Sequence, residues 1–154
     1  VIEEAGAFVI CHTQCWKQQS PDRTWWVNGD QVSKTPESGE FVTKGSFIIR
    51  GKKNMLSYPV LELGLTVIFK TSKGFMTAGN DTTEYALPMV APYRVVKNNK
   101  FKAKILPGKQ KVGKALKSVI GKFLSNAEPY EKEAIKQIPN DDIQRVLVTG
   151  IKFA

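Results

Sequence analysis

Leu61, Leu63, Leu65, Val67 and Phe69 alternate with Glu62, Gly64, Thr66, Ile68 and Lys70. A period of two marks a strand with one wholly apolar face, and such a face must be covered by a second layer. A cover is available further on. Val112, Ala115, Leu116, Val119, Ile120, Phe123 and Leu124 recur at three- and four-residue steps, the stripe of an amphipathic helix. A further helix is expected over 2–17, from the spacing of Ala5, Phe8, Val9 and Cys11/His12, with Glu3 and Glu4 near its positive end. The fold class that follows is α+β: a mixed or antiparallel sheet packed against an N-terminal helix, then a small basic strand–helix module. At 154 residues and 42% hydrophobic content, the chain holds one domain of ordinary size or two small ones.

Between these anchors the punctuation is clear. Pro21-Asp22 ends the first helix, and Thr24-Trp25-Trp26-Val27 is a strong strand former. Asn28-Gly29-Asp30 reads as a turn, with Gln31–Lys34 as a short return strand. Thr35–Gly39 is a loop; Phe41–Thr43 and Ser46–Arg50 are strand-like. The polar, glycine-bearing run 71–84 is the best linker candidate. Pro129–Ile138 reads as a shorter helix, Asn140 as an N-cap followed by Asp141 and Asp142, and Val148–Phe153 as a closing strand.

The charge is uneven. Residues 1–84 carry nine Lys/Arg against nine acids, and 128–154 carry four against five. Residues 85–127 carry ten and no acid: Arg94, Lys97, Lys100, Lys102, Lys104, Lys109, Lys111, Lys114, Lys117 and Lys122. Basicity gathered into one segment is the footprint of a polyanionic partner. Lys100, Lys102 and Lys104 alternate with Phe101, Ala103 and Ile105, so a strand would set the lysines about 6–7 Å apart on one face. That comb can follow a phosphate backbone. A second, smaller cationic group, Arg50, Lys52 and Lys53, surrounds Gly51, which permits close backbone approach. On a strand Trp25 and Trp26 point to opposite faces; both are expected in the core, and an exposed one could stack on a base.

Other chemistry is thinly represented. Cys11 and Cys15, expected on one helix face, are too few for a disulfide scaffold and point to a reducing compartment. With His12 the single histidine, a zinc site would be two ligands short, so no metal and no cofactor are expected. Asp22, Asp30 and Glu37 lie on loops with no nucleophile or metal ligand to pair with, and no catalytic residue is expected. No apolar run approaches the roughly 20 residues of a membrane span, so no membrane partner is expected. The start has no basic region before its apolar residues and no methionine, as expected for an interior piece of a longer protein rather than a secretory leader.

Particular runs go beyond composition. EEAGAF, WWVNGDQVSK, GEF and GSFIIRGKKN together resemble the RNA-binding module of the NFACT family of ribosome-quality-control factors. PMVAPYRVVKNNKFKAKILPGKQKVGKA and IPNDDIQRVLVTGIKF look like that family's small C-terminal module. The resemblance implies two modules, the C-terminal part of the RNA-binding module over 1–80 and the C-terminal module over 85–154. It implies a non-enzymatic factor that binds stalled large ribosomal subunits carrying peptidyl-tRNA. Such a factor supports tRNA recruitment for untemplated C-terminal tailing and nascent-chain degradation, in the cytoplasm on ribosomes, with the nucleus as a second compartment.

The implied partners are ribosomal RNA and/or tRNA on the large subunit and the N-terminal part of the same protein. A ubiquitin ligase would be engaged through regions this sequence lacks. The expected RNA contacts are Arg50, Lys52, Lys53, Arg94, Lys97, Lys100, Lys102, Lys104, Lys109, Lys111, Lys114 and Lys117, with Trp25 or Trp26 stacking on a base. The competing expectation is a protein-docking module, in which 93–124 binds an acidic protein or the rest of its own polypeptide.

Overall fold

The structure, a computed structural model, describes residues 1–56 and 60–154. Two short helices open it, α1 (Ile2–Cys11) and α2 (Gln14–Gln18). The single helix expected over 2–17 is broken at His12–Thr13. Thr13 Oγ accepts from the Cys15 N–H and donates to Ile10 O at 2.8 Å, so one side chain ends the first helix and caps the second. Cys11 and Cys15 therefore lie on different helices rather than on one face. Cys11 is buried, and burial pushes its thiol up to about 11, far from a reactive thiolate.

Four two-residue strands follow: β1 (Trp25–Trp26), β2 (Val32–Ser33), β3 (Ile48–Ile49) and β4 (Asn54–Met55). The hairpin expected between Thr24–Val27 and Gln31–Lys34 does not form. Instead β1 pairs with β4 and β2 with β3, both antiparallel. Gln31 sets this pairing. Its Oε1 accepts from the Asn28 N–H at 3.0 Å, closing a one-turn helix over Gly29–Gln31, and its Nε2 donates to the carbonyls of Arg50 and Lys52, both at 2.9 Å. A side chain thus directs the segment toward 48–52 in place of a local turn. Phe41–Thr43 is not a strand: no described strand pairs with it, and Phe41 is 89% exposed.

The alternating segment becomes β5 (Leu63–Thr71), the centre of a five-stranded antiparallel sheet with β6 (Gly74–Met76), β7 (Tyr85–Pro92), β8 (Lys102–Pro107) and β9 (Ile151–Phe153). One edge of β5 pairs with β7 from Leu63↔Pro92 to Lys70↔Tyr85. Its other edge is shared end to end by β8, over 63–66, and β6, over 69–71; β9 then pairs with β8. Pro88 and Pro92 suit β7, an edge strand with no partner to receive their missing N–H groups. The run 71–84 is no linker, because Thr71 and 74–76 belong to the β5–β6 hairpin of this sheet.

Both faces of β5 are used. Leu63, Leu65, Val67 and Phe69 are buried in the main core, where Phe69, Phe101 and Phe123 meet at centroid distances of 5.5 and 5.8 Å. Against the sheet lie α4 (Val112–Ser125), α5 (Pro129–Lys136) and α6 (Asn140–Val146). The stripe read from the sequence is the stripe buried, with Leu116, Val119 and Phe123 innermost. On the opposite face a short helix, α3 (Tyr93–Val96), sits over Gly64 so closely that a Cβ there would overlap Val96 and Tyr93. The first helices join the same core through Ile10, Cys11 and Trp16, and Trp16 Nε1 donates to Gly150 O at 2.8 Å.

Candidate nucleic-acid interface

The strand register puts Lys104 opposite Gly64 and Lys102 opposite Thr66, so the two share a sheet face, as the alternation predicts. They do not form a free comb. Lys104 Nζ lies 3.0 Å from Glu62 Oε1 and 5.1 Å from the Tyr93 ring centroid. Lys100 precedes the strand and places Nζ 2.6 Å from Glu131 Oε1. Glu131 is fully buried and also accepts from the backbone N–H groups of Gly79 (2.8 Å) and Glu128 (2.9 Å). Burial alone would push its carboxyl up; the hydrogen bonds from Lys100, Glu128 and Gly79 outweigh that and hold it below its ordinary value. Lys102 alone of the three faces no acid among the described residues; its Nζ reaches Asn99 O at 3.4 Å.

The helix differs. Lys109, Lys111, Lys114, Lys117 and Lys122 are all exposed and make no ion pair among the described residues. Lys111, Lys114, Ser118 and Lys122 recur at three- and four-residue steps and so share one flank of α4. That flank borders a groove of about 500 Å³ between α4 and the sheet, lined by Tyr93, Lys102, Lys104, Ser118, Lys122 and Phe153 among others. No acid lies in the first turn of α4, so the positive end of its dipole adds to the lysine field. Lys97 is likewise exposed without an acid partner. Arg94 is not free, since it lies 3.6 Å from Glu3 and 3.3 Å from Glu4.

The smaller cationic group is largely compensated. Arg50 Nη2 is 2.7 Å from Glu40 Oε2 and Nη1 3.8 Å from Glu37 Oε1. The hydrogen bond between Arg50 and Glu40 holds the guanidinium above and the carboxyl below their usual values. Gly51, with φ +81°, makes the turn that a side chain would strain, and Lys53 Nζ lies 4.3 Å from the Trp25 ring centroid. The expected burial of both tryptophans is corrected: Trp25 is 42% exposed and Trp26 half-buried, while the core tryptophan is Trp16. Each tryptophan sits on a two-residue strand paired with only one other, a ribbon too narrow to cover an indole.

Sequence reasoning missed the acids that neutralise the lysines, Glu62 and Glu131, which lie 42 and 31 positions from their partners. It also omitted Lys122 and Tyr93 from the contact set. The step from Lys111 to Lys122, three helical turns, was a signal that could have recovered the first. Among the described residues no three His, Cys, Asp or Glu side chains gather as metal ligands, and no helix is long and apolar enough to cross a membrane.

Residues 69–153, more than half the chain, match the NFACT protein C-terminal domain, and residues 1–51 match the NFACT protein RNA binding domain. The chain belongs to the NFACT family. This NFACT chain is similar to the archaeal Rqc2 homolog aRqcH of Methanocaldococcus jannaschii, 31% identical over 153 residues, which is 97% of this chain and 19% of that protein. It is also similar to the ribosome quality control complex subunit NEMF of Homo sapiens, 42% identical over 72 residues, 47% of this chain and 7% of the relative. Ribosome quality control complex subunit 2 of Schizosaccharomyces pombe is 35% identical over 69 residues, 45% of this chain and 7% of the relative. The chain thus spans between 7 and 19% of the length of these relatives. The C-terminal match begins at Phe69, inside β5, so it covers every groove residue but Ala154 and every lysine of α4.

Proposed function

We propose that this NFACT chain is an RNA-binding, ribosome-associated part of a quality-control factor, and that α4 is its principal phosphate-binding element. The observation that carries this is the set of exposed lysines on and beside α4, unpaired among the described residues, of which Lys122 lines the groove together with Lys102 and Lys104. Lys109, Lys111, Lys114, Lys117 and Lys122 make the main contacts, with Lys97 and Lys102 extending them; Lys52, Lys53 and the exposed Trp25 form a minor second contact. Arg50, Lys100, Lys104 and Arg94 serve the fold first, because each faces an acid.

In this reading the protein acts in the cytoplasm on stalled large subunits carrying peptidyl-tRNA. There it supports tRNA recruitment for untemplated tailing by holding ribosomal RNA or tRNA, and it catalyses nothing itself. The RNA-binding-domain match and the quality-control names of the relatives support it. The boundary between the two modules falls within 52–62, upstream of β5, whose sheet belongs with the C-terminal half.

The test is co-sedimentation with large subunits, with and without nuclease. Nuclease should release the protein, and RNA affinity should fall roughly 10³-fold or more between 50 and 200 mM salt for the six or more phosphates these lysines can neutralise. Nuclease-resistant association with a flat salt dependence would instead identify a protein-docking module. The exposed Phe8 and Val9 of α1 are the feature that favours that second reading.

A further inference from the structure

The face of the sheet opposite the main core is covered unevenly. At the Leu63 end α3 sits over Gly64, and Asn99 Nδ2 donates to Thr66 Oγ at 3.1 Å. Beyond Thr66 no helix among the described residues covers this face, and the register collects an exposed surface there. Lys70 lies opposite Phe75 on β6 and Tyr85 on β7, while Ile68 lies opposite Leu87. All five side chains therefore share one face across three adjacent strands. Phe75 is 55% exposed and Tyr85 42%, although buried positions lie one residue away on β5 and β7. The two rings meet edge to face, centroids 6.4 Å apart at 71°, and Lys70 Nζ stands 5.5 Å from the Phe75 centroid.

We infer that this bare end of the sheet is a base-stacking subsite for single-stranded RNA, continuous with the lysine interface. The inference rests on the RNA reading above only for the identity of the polymer. Rings set at 71° form a corner: a base that stacks on one ring has its edge bordered by the other. Lys70 and, in the following turn, Lys73 are placed to meet the phosphate of that nucleotide. The acids nearest the rings in sequence, Asp81 and Glu84, precede β7 and make no ion pair with Lys70 or Lys73 among the described residues. Lys102, opposite Thr66, lies on this same face about 13 Å along β5 at roughly 3.3 Å per residue. One short strand could therefore stack at Phe75/Tyr85 and continue to Lys102 and the groove. Exposed aromatics on an open antiparallel sheet, flanked by cations, are a recurrent way to hold unstacked bases. An ordinary apolar protein contact needs neither the ring corner nor the cation between the rings.

The test compares binding of the full 154-residue chain to a short oligouridine and to an abasic ribose–phosphate chain of the same length, by fluorescence anisotropy at two salt concentrations. The expected result is tighter binding to the base-bearing polymer. Phe75→Leu with Tyr85→Leu should abolish that preference, with about fivefold or more lost per ring and the salt slope unchanged. Tyr85→Phe, which keeps the ring, should bind as the unaltered protein does and controls for folding. If the double leucine variant keeps the full preference, or the unaltered protein shows none, the stacking subsite is overturned and the face is left to a protein partner. The two readings fail separately. Lysine substitutions on α4 that leave affinity intact sink the phosphate assignment, whereas leucines at 75 and 85 that leave it intact sink only this one.

Discussion

Lys100 and Lys104, at β8, and the lysines of α4 come from one acid-free run of sequence, yet they end in opposite circumstances. Near the strand, Lys100 and Lys104 are held by Glu131 and Glu62, acids supplied from outside the run. On the helix, Lys111, Lys114, Lys117 and Lys122 meet no acid among the described residues. A sheet strand runs beside other chain, so acids from distant segments come within reach of its charges, as Glu62 does for Lys104, while Lys102 at the start of β8 stays unmatched among the described residues. A helix laid on the outside keeps a whole flank in solvent. Local charge count thus reports potential, and the element that carries the charge decides whether it reaches a partner.

Substitutions can break this contrast or sharpen it. The largest effect is expected from Glu131→Ala, which strands Lys100 and two part-buried N–H groups. It should lower stability by about 3 kcal/mol, read as a shifted denaturant midpoint, because removing one partner of a buried ionic network costs far more than an exposed pair gains. Next, alanine at Lys111, Lys114, Lys117 and Lys122 together should weaken RNA binding about a hundredfold and reduce the salt slope by three to four, while melting stays nearly unchanged. If Lys100→Ala with Lys104→Ala produced an equal loss of affinity in a salt titration, the division between strand and helix would fail.

A pH titration probes the same network more gently. The Glu131 carboxyl is held below its ordinary value of 4.5, so its contribution is complete above that value and is lost as pH falls through the lowered one. Thermal melts should show acid destabilisation that Glu131→Gln flattens. The smallest effect belongs to Arg50→Ala. A solvent-exposed pair contributes little to stability, and RNA affinity measured by anisotropy should change less than about twofold, since that guanidinium already faces Glu40 and Glu37.

The regular parts of the fold were legible because their signal is local and long. Ten residues of alternation gave β5, and seven apolar positions over three turns gave α4, each nearly to its ends. The pairing of β1 with β4 and of β2 with β3 was not legible. A two-residue strand has no period, and the choice is made by Gln31 bonding 19 and 21 positions away. The same distance problem hid the loss of the lysine comb. The alternation of Lys100, Lys102 and Lys104 was correctly seen, but nothing near them announces Glu131. At Trp25 and Trp26 the residue type suggested a core that a ribbon this narrow cannot supply. The cationic helix, by contrast, was legible except for Lys122, because exposure on a helix follows from spacing.

The pairing of β1 with β4 has a further consequence. Trp25 lies opposite Met55, and Pro21, Val60 and Leu61 line one common groove. The chain therefore leaves the main body and returns to it at nearly the same place. Everything from 24 to 56 is an outgrowth on a closed neck, which can lengthen, shorten or be exchanged by insertion and deletion without disturbing any register of the five-stranded sheet. In a lineage of such chains, this is where new surface can be added while the platform beneath stays as it is.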